Sequence, residues 1–183
     1  MNAMMTPATD RDLAIMAEQV GRPMRSVLGV AARTGDGTPV VVCTAPRLAG
    51  GTPFPTFYYL THPALVQAAS RLEADGRMAV YNAMLAADPA LAAAYRAAHE
   101  RYLGDRAAHG EVPEIAGVSA GGMPQRVKCL HALVAHALAA GPGVNPIGDL
   151  VLDEVGWDAA TGTCARPAGR DGVSTGDRFN LAQ

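Results

Sequence analysis

The chain has 183 residues, 49% of them hydrophobic and 17% charged, with a formal net charge of −2. That length fits one domain with a single core, and the charge balance gives no electrostatic basis for binding nucleic acid or a membrane surface. No apolar run approaches the ~20 residues of a membrane span, the first residues lack a secretory pattern, and three scattered cysteines make no disulfide framework, so a cytoplasmic protein is expected.

In chain order, residues 1–9 read as a flexible leader, and Thr9 or Asp10 caps a short helix to about Gln19 with Leu13, Ile15 and Met16 as its apolar contacts. Valine-rich segments over 26–32 and 39–44 flank Thr34-Gly35-Asp36-Gly37, which predicts a β-hairpin because Asp-Gly supplies the positive φ such turns need. A glycine- and proline-rich loop over 45–56 leads to a third strand over 57–60. Helices are predicted from Pro63 to Ala74, over 78–87, and from Asp88-Pro89 (cap, then proline) to about Ala108. Leu150-Val151-Leu152 gives a last helical turn or short strand, and 158–183 read as a disordered tail in which Cys164 is incidental. The fold class is therefore α+β: about three antiparallel strands packed with four to five helices in a single domain over 10–157.

The chemistry concentrates in residues 121–149. Pro124 suits the first turn of a helix entered through Gly121-Gly122, with Val127, Leu130, Val134 and Leu138 facing the core and Gly141-Pro142-Gly143 ending it. Asn145-Pro146 adds a turn signal. On that reading the first helical turn carries Arg126 and Lys128, the only lysine beside fourteen arginines, where a helix dipole prefers acids. A bound phosphate or carboxylate would resolve the mismatch, held by backbone N–H groups of Gly121 and Gly122, by Arg126 and Lys128, and by Arg47 from the 45–56 loop.

The leading expectation is thus a protein that binds a phosphorylated or carboxylated small molecule. His62, His99 and His131 are the proton-transfer candidates if it is an enzyme. Plainer readings stand beside each: Arg126 and Lys128 point into water, and His62 sits at the cap of the helix that Pro63 begins. Tyr95, His99 and Tyr102 form a polar-aromatic stripe at the core margin. On a continuous helix Cys129 and His131 project about 200° apart, which argues against a shared metal, and a mid-helix thiol among apolar neighbours is a poor nucleophile. A third possibility is an interaction module that docks another protein through an exposed patch of Phe54, Phe57 and Tyr58. The identity of any cofactor or metal does not follow from these residues.

The runs APRLAGGTPFPTFYYLTHP (45–63), AAAYRAAHERYL (92–103) and GGMPQRVKCLHALVAHALAAGPGVNPIGD (121–149) resemble the "domain of unknown function" family number 501, found mainly in actinobacteria, with a match over roughly residues 20–153. The resemblance implies no activity. The family's genes commonly lie near those for enolase, a septum-formation initiator and an exopolyphosphatase-like enzyme, which implies a cytoplasmic setting. Many members carry cysteines in the first hairpin, where this chain has Arg33-Thr34-Gly35-Asp36-Gly37, and some have cysteine at the place of His62. The resemblance therefore keeps a metal site of His62 with Cys129 or His131 open, and the cysteine-free hairpin weakens any version that needs thiolates there.

Overall fold

A computed structural model describes residues 5–165. Strands β1 (Val27–Arg33), β2 (Pro39–Thr44) and β3 (Tyr58–Leu60) form one antiparallel sheet in that order, with Val30 opposite Val42 and Val41 opposite Leu60. Six helices surround it: α1 (Asp10–Val20), α2 (Pro63–Ala74), α3 (Arg77–Ala87), α4 (Pro89–Ala107), α5 (Leu130–Ala140) and α6 (Pro146–Val155). The arrangement is α+β, as the sequence predicts. Every residue of β2 is buried. That strand is covered on both faces, which is why it reads as an unbroken valine run rather than an alternation.

α1 covers the outer face, where Met16 meets Val30 and Val42 in a small separate core. Thr9 and Asp12 form a capping box, and Arg33 of β1 reaches Asp12 at 2.6 and 2.9 Å, tying helix to sheet. Thr6 also exchanges backbone hydrogen bonds with Val30, so the segment expected as a leader is tied down from Thr6 onward. Residues 1–4 lie outside the described residues.

α5 is the centre of the main core, packed against β3, α2 and α6 and buried on nearly every side. α6 replaces the short element expected at 150–152. Asn145 accepts the Gly148 amide at 3.0 Å as a helix cap and Pro146 takes the first position, so Asn145-Pro146 starts a helix as Asp88-Pro89 does. Gly148 lets the two helices cross at backbone distance: a Cβ there would collide with the Leu133 carbonyl.

The largest correction falls on the central stretch. The helix begins at Leu130, not near Pro124, and residues 121–129 form a loop and an extended segment. Tertiary hydrogen bonds account for this. The Asn82 side chain on α3 accepts the Val127 amide at 2.8 Å and donates to the Val127 carbonyl at 3.0 Å, while the Tyr95 hydroxyl donates to the Arg126 carbonyl at 3.2 Å. Backbone groups satisfied from α3 and α4 have no need of a helix.

Two short strands, β4 (Trp157–Asp158) and β5 (Thr163–Cys164), pair in a hairpin against α2. Residues 158–165, expected in the tail, are therefore part of the fold, and Cys164 is half-buried against the core. Residues 166–183 lie outside the described residues. Among the described residues no helix is long and apolar enough to cross a membrane.

Candidate functional site

α4 organises the site from behind. Its stripe of Tyr95, His99 and Tyr102 is buried, and each side chain holds a different loop. Tyr102 Oη accepts the Phe57 amide at 2.6 Å, and His99 Nδ1 lies 2.8 Å from Ser119 Oγ. Tyr95 holds Arg126 as described above. The i, i+4, i+7 spacing puts the three groups in a row, so one helix face fixes three segments that would otherwise be free to move.

Those segments border a cleft of about 870 Å³, lined by parts of 55–60, 117–126 and 128–132 together with Val66. Arg126 and Lys128 stand on its rim, exposed and without an ion-pair partner among the described residues. No carboxylate lines it. Gly121 and Gly122 shape one wall at φ of +69° and +93°. The Gly121 carbonyl accepts the Lys128 amide at 2.7 Å, and a Cβ at Gly121 would meet Leu133 at 2.5 Å. Their own amides donate to no protein acceptor among the described residues.

Three side chains converge beside the cleft, two of which, Cys129 and His131, line it. Cys129 occupies the cap position of α5, and its Sγ lies 3.8 Å from His131 Nδ1, which is 3.1 Å from Glu73 Oε1 at the end of α2. The three ligating atoms all lie within 4.8 Å of one another, the one such grouping of histidine, cysteine and carboxylate among the described residues. Glu73 Oε1 also accepts the Leu130 amide at 2.7 Å, and His131 Nε2 lies 3.2 Å from the Val66 carbonyl and 3.1 Å from Ser70 Oγ. His131 is pushed up to about 9, first by its contact with the Cys129 sulfur and further by the charge of Glu73, against the opposing effect of burial.

The cleft therefore brings together Gly121, Gly122, Arg126, Lys128 and His131 of the residues expected from sequence. It leaves out three. Arg47 donates to both carboxylate oxygens of Glu114 at 2.7 and 2.8 Å and to the Gly51 carbonyl, so it braces its own loop rather than completing an anion clamp. His99 is buried behind the cleft and positions Ser119. His62 precedes α2 without a side-chain capping bond and packs edge-on against Trp157 at 5.3 Å, and burial pushes its pKa down. It stands outside the Glu73–Cys129–His131 grouping, so the expected pairing of His62 with Cys129 or His131 is replaced by Glu73 with both.

Sequence reasoning missed Glu73 and misjudged Cys129. On a continuous helix Cys129 and His131 would diverge, but Cys129 is extended and the two side chains meet. The one local sign of Glu73 is an acid in the last turn of a helix, against the dipole. His136, expected as a core group, is fully buried, stacks on Tyr58 and accepts at Nδ1 from the Asn145 side-chain amide at 3.1 Å.

The fold and site define a small α+β protein with a cationic-rimmed cleft whose lining includes a thiol and an imidazole, both in contact with a carboxylate that is not part of the lining. The chain belongs to the family described as protein of unknown function (DUF501), whose model matches residues 30–153. Neither curated proteins nor solved structures gave a match.

Proposed function

We propose that this protein binds a phosphorylated or carboxylated small molecule in the cleft, in a cytoplasmic setting. The observation that carries the reading is charge: the lining holds Arg126 and Lys128, both exposed and unpaired among the described residues, and no carboxylate. Within such a concave site two cations favour an anionic ligand, arginine by its planar fork and lysine as a compact point charge. The amides of Gly121 and Gly122 add donors that carry no charge of their own. The helix dipole invoked from sequence has no part in this, because both cations precede α5.

The docking alternative loses its main support, since Phe57 and Tyr58 are each only 2% exposed and cannot form the expected patch. The test is a thermal-shift screen against inorganic phosphate, pyrophosphate, nucleotides and small carboxylates. A ligand at a hundred times its dissociation constant adds about 2.7 kcal/mol, which moves the midpoint of a chain this size by roughly 5–10 °C. The shift is expected in the wild type and absent in the Arg126→Ala/Lys128→Ala double variant. An equal shift in both would remove the two cations from the site.

A further inference from the structure

We propose that Glu73 Oε1, Cys129 Sγ and His131 Nδ1 form a three-ligand site for a zinc-class divalent cation, with its fourth position reached from the cleft.

The separations fit the ion. Zinc bonds of about 2.0–2.3 Å at tetrahedral angles place ligand atoms about 3.3–3.6 Å apart. Here the imidazole nitrogen lies 3.1 Å from the carboxylate and 3.8 Å from the sulfur, and all three atoms fall within 4.8 Å. Small rotations of the side chains close the remaining difference.

The surroundings fit as well. A carbonyl can only accept, so the Val66 oxygen 3.2 Å from His131 Nε2 places a proton on that nitrogen. Nδ1 faces the Glu73 carboxylate and the Cys129 sulfur, so a cation that displaces its proton meets three electron-pair donors at once. A second ring nitrogen held by a backbone carbonyl is the usual support of a metal-binding histidine. Glu73 has its own support in the Leu130 amide at 2.7 Å. Thiolate, imidazole and carboxylate together select zinc over magnesium or calcium, which take oxygen ligands.

Three protein ligands with an open position are the pattern of reactive rather than purely structural zinc sites. Cys129 and His131 both line the cleft, on whose rim Arg126 and Lys128 stand. The three-ligand site is independent of the anion reading. Only the occupant of the fourth position rests on it: an oxygen of the bound phosphate or carboxylate, or a water beside it.

The experiment uses the full chain purified without a histidine tag, stripped with a chelator, and titrated with zinc against a chromophoric competitor. One zinc per chain is expected. Cys129→Ser and His131→Ala each weaken it by more than about 100-fold, since outer-shell partners alone contribute about 10–100-fold. Arg126→Ala/Lys128→Ala still binds one zinc per chain, no more weakly than the wild type, even if it abolishes anion binding, so the two readings fail separately. Cobalt loading of the wild type reads the sulfur directly and needs no variant to fold: a thiolate-to-cobalt charge-transfer band is expected. Absence of stoichiometric zinc, cobalt binding without that band, or unchanged affinity in the folded single variants would each overturn the site.

Discussion

The Leu130 amide donates to Glu73 Oε1 at 2.7 Å, so a side chain at the end of α2 caps the start of α5. Cys129, at the cap position itself, makes no side-chain cap bond. A cap brought from another helix ties the start of α5 to tertiary structure, and it places the carboxylate where His131 and Cys129 also meet. Metal-free Glu73→Ala is expected to lose roughly 1–2 kcal/mol, the range of a lost cap or charge-assisted hydrogen bond. Glu73→Gln retains an acceptor for Leu130 and recovers part of that loss. Urea unfolding of the three proteins in chelator measures it, and equal stabilities for the alanine and glutamine variants would contradict the capping role.

Asn82 holds the extended segment that enters the site. Its amide satisfies both backbone groups of Val127, which is only 4% exposed. Asn82→Ala leaves a buried donor and acceptor unpaired and is expected to cost roughly 2–4 kcal/mol. Tyr95→Phe removes a single bond to the Arg126 carbonyl and costs about 1 kcal/mol. Both loosen the wall that carries Arg126 and Lys128, so amide hydrogen exchange at Val127 and Lys128 should accelerate in each variant, more in the first. Unchanged protection in Asn82→Ala would show that the segment is held by other contacts.

His136 makes stability pH-dependent. Burial between Tyr58 and Tyr102 pushes its pKa down to about 4, and its Nε2 has no hydrogen-bond partner among the described residues. In the unfolded chain it titrates near 6.5. Between those values the unfolded state binds the extra proton, so stability rises with pH and is lost as pH falls from about 6.5 toward 4, by about 3 kcal/mol in all. Denaturation midpoints measured across that window should decline in the wild type and decline less in His136→Gln. Parallel profiles would assign the dependence to other groups.

Much of the fold follows from local chemistry. The Asp-Gly turn between two valine runs, the Asp88-Pro89 start of α4 and the Thr9 cap of α1 all involve groups within a few residues, and the structure places them as the sequence predicts. Asn145-Pro146 carries the same helix-start chemistry, and its cap bond to Gly148 spans only three residues, so this start is local as well.

The site is another matter. Gly121, Gly122, Arg126, Lys128 and His131 could be picked out because charge and glycine stand out in a chain otherwise rich in alanine and valine, and they share the cleft. What joins them could not, because the bonds that extend residues 126–129 come from Asn82 and Tyr95, more than thirty positions away. Sequence by itself determined the helices and strands whose caps, turns and apolar runs are local. Only the tertiary structure decided where α5 begins, and with it that Cys129 turns toward His131 and Glu73, because a backbone satisfied by distant side chains does not show its conformation in its own residues.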